Sequence, residues 1–241
     1  MRREERHQAK RNDLATLLEE GSAYALQNVR LVAILTVVVL ALLIGGLGVR
    51  GWLRARETRS ARLIGELIDT YNAPITTSLE DLERTQAGAP TFTSTEERDQ
   101  KVIDLAESIL KQGGPTGARP AALLYRGMAQ AERRMLDEAE ASFDAAVRGD
   151  PGGLFAATAR LRLARLKESR AKSEEALTLY RAIAEAQGGL LPREEGILGM
   201  ARCQEALGRK DEALALYRRL ISEFPDSEYL SEARSHVEDR S

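Results

Sequence analysis

The sequence predicts an all-α protein in which a single N-terminal transmembrane helix is followed by a solenoid of helical hairpins. Three observations support this fold class: an uncharged apolar run near the N terminus, amphipathic helical patterns over most of the later chain, and a pattern that recurs every 37 residues. Aromatic residues make up only 5% of the 241 residues. This low share argues against a core built from β-strands.

The composition narrows the classes of function. A formal net charge of -2 leaves no general basic field for nucleic acid. The single cysteine, Cys203, can form neither an intramolecular disulfide nor a thiolate metal site. The two histidines, His7 and His236, have no nucleophile to pair with, and paired acids such as Glu174 and Glu175 fall in first helical turns, where they complement the helix dipole. We therefore predict a non-enzymatic protein with no catalytic, cofactor-binding or metal-binding residue and no small-molecule substrate.

An anchor is predicted over residues 31–49, LVAILTVVVLALLIGGLGV, which contain no charged side chain. As a helix these 19 residues would be about 28 Å long, close to the hydrocarbon thickness of a bilayer. Tyr24 and Trp52 flank the run, where interfacial aromatic residues are found. We expect the anchor to be retained, because RGWLRARE after the run offers no small-residue cleavage site. The overlapping GLGVRG matches a dinucleotide fingerprint but lacks the strand that such a site requires.

Charge alone does not determine the orientation of this anchor. Arginines within residues 50–62 favour a cytoplasmic C-terminal side when only positions near the span are counted. The basic residues of the N-terminal tail nearly cancel this excess when the whole tail is counted. The charge pattern therefore leaves the topology open.

Polarity, loop residues and periodicity divide the chain into five segments. Apolar residues at helical spacing from Leu53 to about Tyr71 predict a helix that continues the anchor helix outward. A further helix is expected to start near Ser94 or Thr95. The segments are a polar tail over 1–30, a transmembrane anchor over 31–52, a helical linker with a loop and a degenerate half-repeat over 53–119, three repeats over 120–226, and a capping helix over 227–241.

The repeats are carried by an alanine and by an aromatic residue four positions later on the same helical face. The alanine permits close approach of the preceding helix, and the ring fills the space above it. These repeat-packing residues recur at intervals of 37: Ala139 and Phe143, Ala176 and Tyr180, and Ala213 and Tyr217. Two helices are expected in each unit, over 121–134 and 137–148, 154–169 and 173–187, and 193–207 and 211–224. Because one hairpin cannot bury its apolar stripe alone, the stacking of units forms the core.

This pattern resembles the tetratricopeptide repeat family. The resemblance covers residues 120–226, with a unit of 37 residues where the family has about 34. It implies a solenoid whose first helices line a concave, protein-binding face. The matched framework positions are Leu123, Gly127, Ala139, Phe143, Ala146 and Pro151 in the first unit, Ala164, Ala176, Tyr180 and Ile183 in the second, and Ala201, Ala213, Tyr217, Leu220 and Pro225 in the third.

The family's groove positions place a candidate protein-binding surface on the first helix of each unit. Three leucines at 37-residue spacing could form an apolar seam for an extended or helical segment, or could seal the contacts between units. The lysine and asparagine pattern with which some family members clamp a C-terminal carboxylate is missing. The groove positions are Leu124, Met128 and Ala131, then Leu161, Arg165 and Glu168, then Leu198, Arg202 and Glu205.

Residues 160–172 form a ridge that is rich in arginine and lysine. Such a ridge could meet acidic clients or anionic lipid headgroups. Alternatively, its charges pair with acids of neighbouring helices, where exposed ion pairs are common but weak.

The order of polar tail, uncleaved span, arginine-dotted helix and repeats resembles the bacterial ancillary SecYEG translocon subunit family. That resemblance implies a single-pass inner-membrane protein with periplasmic repeats, which binds the translocon and links client polypeptides to chaperones. The alternative is a structural assembly or coordination factor for an envelope or cell-division complex, because LISEFPDSEYLSEARSHV is similar to the ends of such periplasmic repeat proteins. The expected partners are proteins and, through residues 31–49, the membrane.

Overall fold

The computed structural model describes residues 29–76, 90–111, 117–186 and 188–238, so almost all of the predicted polar tail lies outside the described residues. Within these ranges the chain forms nine α-helices and one isolated parallel bridge between Ile75 and Phe92. The predicted all-α fold of repeated hairpins is confirmed over this part of the chain. The helices are α1 (Val29–Tyr71), α2 (Thr95–Lys111), α3 (Ala118–Glu132), α4 (Leu136–Gly149), α5 (Leu154–Ser169), α6 (Ser173–Ala184), α7 (Arg193–Ala206), α8 (Lys210–Glu223) and α9 (Leu230–Glu238).

Helix α1 contains an apolar segment whose large side chains are exposed. Leu42 and Ile44, for example, are 70% and 69% exposed. Its portion Val37–Tyr71 includes an 18-residue stretch with a mean hydropathy of at least 1.2, no part of which is buried. Length and composition therefore allow this helix to cross a bilayer. The chain divides into two compact units, Met1–Arg56 and Glu57–Ser241.

The last turns of α1 pack with α2 and α3 ahead of the first predicted repeat. Leu67 and Val102 are fully buried in the apolar cluster that joins these three helices. Helix α2 begins where the Ser94 hydroxyl accepts a hydrogen bond from the backbone N–H of Glu97 at 3.1 Å. The Glu97 carboxylate in turn accepts hydrogen bonds from the backbone and hydroxyl of Thr93 at 3.0 and 2.7 Å. This reciprocal cap explains why the helix starts where the sequence predicts.

Three hairpins follow, formed by α3 with α4, α5 with α6, and α7 with α8, and α9 packs against α8. The structure buries all six repeat-packing residues: the three alanines are inaccessible to solvent, and their aromatic neighbours are at most 2% exposed. Cys203 is also fully buried, and burial raises the pKa of its thiol to about 12. A thiol held protonated and out of contact with solvent is unreactive, so a cysteine introduced on the surface can be labelled selectively.

Two helix boundaries within the repeats differ by three residues from those that the periodicity predicts, and the others agree to within two residues. Helix α3 begins at Ala118 rather than at 121, because Pro120 falls in the first turn, where its missing N–H removes no helical hydrogen bond. Helix α6 ends at Ala184 rather than at 187. Its last carbonyl accepts a hydrogen bond from Arg193 Nε at 2.8 Å, so the next unit caps this helix end. That contact is tertiary and has no local sequence signal.

Candidate protein-binding surface

The three groove leucines are buried side chains. Leu124, Leu161 and Leu198 are 3%, 8% and 2% exposed. They lie in apolar clusters whose members come from two neighbouring hairpins, so they belong to the core that joins the units. The surface that a partner could reach is therefore formed by the neighbouring groove positions rather than by a leucine seam.

Those neighbouring positions carry ion pairs that run between consecutive first helices. Arg165 of α5 is exposed and pairs with Glu195 of α7. In the next unit Arg202 of α7 pairs with Glu232 of α9 at 3.7 Å, and both members of this pair lie 37 residues after those of the first. Arg202 also donates from Nε to Glu168 of α5 at 2.8 Å. The accessible face of the second and third units is consequently polar and internally paired.

In each of these two units a partly buried hydrogen bond links the first helix to the second. The Tyr180 hydroxyl donates to Glu168 at 2.5 Å, and the Tyr217 hydroxyl donates to Glu205 at 3.0 Å. Burial and then the acceptor Glu168 raise the pKa of Tyr180 far above its ordinary value, so this hydroxyl stays a donor. In the last unit His236 stacks on Tyr217 with ring centroids 4.5 Å apart and its Nδ1 lies 3.2 Å from Glu205. The same carboxylate thus ties the capping helix to the repeats.

The first unit lacks this hydrogen bond and has a recess in its place. Ala131 occupies the position equivalent to Glu168, and Phe143 the position equivalent to Tyr180. A cavity of about 230 Å³ opens there, which we call the Tyr71 cavity. Its lining residues are Tyr71, Met128, Ala131, Glu132, Phe143, Arg162, Arg165, Leu166 and Ser169.

Tyr71, from the end of α1, is held in the cavity wall by two ring contacts. Its ring meets Tyr125 edge to face at 5.3 Å between centroids, and the Arg98 guanidinium lies 5.4 Å from its ring centre. Burial and then the nearby Glu132 carboxylate raise the pKa of Tyr71, so its hydroxyl is neutral at physiological pH. The sequence pattern does not mark Tyr71 as a groove residue, because it lies outside the repeats and reaches the groove only through tertiary packing.

The basic ridge is largely paired with acids of neighbouring helices, which confirms the second of its two interpretations. Lys167 donates to Glu140 at 2.7 Å and to Glu175 at 2.6 Å, and Lys172 donates to Glu140 at 3.0 Å. Arg170 pairs with the same Glu140 and with an aspartate of α4. Arg162, in contrast, is exposed and makes no ion pair or hydrogen bond within the described residues.

The ion cluster around Glu140 predicts a specific dependence of stability on pH. The hydrogen bond from Lys167, with a smaller one from Lys172, lowers the pKa of Glu140 from 4.5 to about 2, although burial opposes the shift. Folding lowers the pKa of Glu140, so its ionised carboxylate stabilises the folded state. This contribution to the free energy of unfolding is complete above pH 4.5 and is lost as the pH falls towards 2. Glu140→Gln should cost about 1 kcal/mol at neutral pH and should flatten the acid limb of the urea-unfolding midpoint against pH.

Glu138→Gln is the matched control for this change, because Glu138 is exposed on the same helix. It should leave both the neutral-pH midpoint and the acid limb close to those of the unaltered protein. Parallel acid limbs for Glu140→Gln and the unaltered protein would show that the cluster contributes no pH-dependent stability.

Comparison with known proteins places this architecture in a family. A model of a tetratricopeptide repeat-like domain matches residues 23–188, which is more than half of the chain, and a tetratricopeptide repeat model matches residues 195–227. The chain belongs to the tetratricopeptide repeat-like domain family. Proteins built from tetratricopeptide repeats are protein-interaction scaffolds. The sequence matches no curated protein.

Several solved structures are similar to this tetratricopeptide repeat protein. A double mutant of MamA from RS-1 is 12% identical, with a TM-score of 0.45 over 59% of this chain and 85% of that chain. Two structures of nearly identical TPR-like repeats of a Podosopora anserina kinesin light chain candidate, one of them a point mutant, are 17% identical. Each has a TM-score of 0.49 over 60% of this chain and 81% of that chain.

Proposed function

We propose that this protein is a membrane-anchored, protein-binding scaffold of the bacterial inner membrane that acts beside the Sec translocon on secretory client polypeptides. The apolar part of α1 anchors it, and the repeats lie in the periplasm. The observation that carries the proposal is the combination in one chain of an exposed apolar helix and a tetratricopeptide repeat scaffold with an accessible groove. The matched family segment begins at residue 23, before the apolar run, and so includes both features.

The translocon assignment has further support from the order of segments along the chain. A polar tail, an apolar run, an arginine-dotted helix and repeats follow one another as in the ancillary translocon subunit family. A scaffold held at the membrane surface meets emerging polypeptides at a high effective concentration, so its groove can act with modest intrinsic affinity.

Site-specific photocrosslinking in living cells tests this function. A photoreactive residue at Met128 or Arg165, on the accessible groove positions, should capture translocon subunits and secretory polypeptides identified by mass spectrometry. The same residue at Arg181, exposed on α6, is the control and should capture far less. A periplasmic reporter fused at Ser241 should be active.

Other outcomes would reassign the protein. A cytoplasmic readout of the reporter would contradict the translocon role. Groove crosslinks to envelope or division proteins, together with loss of function when residues 31–49 are replaced by an unrelated span, would indicate the assembly role instead. Equal capture at Met128 and Arg181 would exclude the groove as the binding surface.

A further inference from the structure

We propose that the Tyr71 cavity is a subsite that receives one bulky apolar side chain of a bound polypeptide, with a single acidic residue beside it in that polypeptide. This inference rests on the proposed function and specifies the chemistry of the segment that the scaffold selects. It is carried by the volume of the cavity, by the side chains of its walls and by the charges at its rim.

The volume of the cavity suits a side chain better than a whole small molecule. At about 230 Å³ it exceeds the roughly 150 Å³ of an engineered cavity that holds benzene. It is smaller than the roughly 300 Å³ at which small-molecule sites begin. A phenylalanine, leucine or methionine side chain therefore fits, while the remainder of the ligand lies outside.

The walls are apolar and preformed. Met128, Phe143 and Leu166 contribute apolar atoms from three helices, and Tyr71 is held by its contacts with Tyr125 and Arg98. A wall that is already ordered loses little conformational entropy when it binds, which favours affinity. In the second and third units the equivalent space is occupied by a glutamate hydrogen-bonded to a tyrosine. Of the three units, the first therefore has an open apolar cavity where the other two have a hydrogen-bonded glutamate.

The rim selects for one negative charge. Arg162 is exposed without an ion pair in the described chain, and Arg165, three residues later on α5, contributes a second guanidinium that is already paired with Glu195. Glu132, the last residue of α3, lies on the same rim. One carboxylate beside the apolar side chain satisfies Arg162, whereas a run of acids would be repelled by Glu132.

An anionic bilayer is a poorer occupant than a polypeptide. Lys167, Arg170 and Lys172 are engaged by acids of α4 and α6. Within the described residues this leaves two cations of the ridge without an ion pair, and of these Arg160 donates to the carbonyl of Pro151 at 3.2 Å. Each such cation near an anionic surface strengthens binding only about fivefold. The apolar Tyr71 cavity would make no favourable contact with a polar lipid headgroup. It would accommodate an apolar side chain of a polypeptide.

Three labelled peptides that differ at two positions test the subsite. In one neutral, extended context they carry Phe-Glu, Ala-Glu or Phe-Gln, and their binding to the full chain in detergent micelles is measured by fluorescence anisotropy up to about 1 mM. The Phe-Glu peptide should bind about tenfold or more tightly than Ala-Glu, and severalfold more tightly than Phe-Gln. Equal binding of the three peptides, or no binding, overturns the inference.

Two variants locate the effect, and a third is the control. Ala131→Phe fills the cavity and should remove the preference for Phe over Ala, while Arg162→Gln should remove only the preference for Glu over Gln. Arg181→Gln makes the same charge change on α6 and should alter neither. Circular dichroism and continued protection of Cys203 from thiol reagents show that each variant is folded. An unchanged peptide preference in Ala131→Phe overturns the inference.

The results separate this inference from the proposed function. If secretory proteins crosslink at the groove but the three peptides bind equally, the subsite is rejected and the proposed scaffold function still stands. Binding of anionic vesicles that depends on Arg162, in the absence of peptide binding, rejects the subsite in favour of a lipid contact.

Discussion

Gly196→Ala is expected to lower the free energy of unfolding by about 3 kcal/mol or more. A Cβ atom at this position would lie 2.6 Å from the backbone N of Ala184 and 2.8 Å from the carbonyl O of Tyr180. Both neighbours are backbone atoms of α6, so no side-chain rotation can relieve the contact. Helix α7 would have to move away from the end of α6, which would open the core between the second and third units.

Gly149→Ala is the matched control for this effect. Gly149 is the last residue of α4, and a Cβ atom there would meet nothing within 4 Å. Alanine at a helical position is favoured over glycine by up to about 1 kcal/mol, so this variant should be neutral or more stable. Urea unfolding of the full chain in micelles, followed by circular dichroism, measures both. Equal stability of the two variants would contradict the close approach of α7 to α6.

Tyr180→Ala should destabilise the repeats by about 3–5 kcal/mol. The Tyr180 ring is fully buried between the second and third units, and its removal would leave a cavity that the surrounding helices can only partly close. The free energy of unfolding from urea denaturation and the exposure of Cys203 to a thiol reagent should both report the loss.

Tyr180→Phe separates the ring from its hydroxyl. It keeps the packing and removes only the hydrogen bond to Glu168, which retains its contact with Arg202 at 2.8 Å. The expected cost is about 1–2 kcal/mol. A loss as large as that of the alanine variant would mean that the polar contact, rather than the ring, dominates at this position.

Much of the fold could be predicted from the sequence because its determinants are local. The apolar period identifies the helices, and the Ala139 and Phe143 pattern identifies the repeat, since each hairpin meets the same neighbour geometry 37 residues later. Helix ends were harder to predict. The end of α6 depends on the side chain of Arg193 from the next unit, and local residue preferences do not contain that information.

The candidate site was only partly predictable. The groove positions lie on the first helices as expected, but burial of Leu124, Leu161 and Leu198 transfers the accessible surface to other residues. The sequence carries one signal of the difference between units. Glutamate stands at 168 and 205, where the aromatic residue twelve positions later is tyrosine, and alanine stands at 131, where that residue is phenylalanine. This covariation between units indicates a hydrogen bond in two units and a recess in the first.

The sequence by itself determined the helical class, the 37-residue repeat and the apolar segment that can cross a bilayer, because each follows from the order of apolar and polar residues along the chain. Only the tertiary structure decided which groove side chains stay accessible. The exposure of a groove side chain depends on how closely neighbouring helices approach it. Whether a charged side chain is free to bind a partner depends on which ion pairs form across units. For that reason Arg162 is left without an ion pair within the described residues while Lys167 is paired, and Tyr71 reaches the groove from outside the repeats.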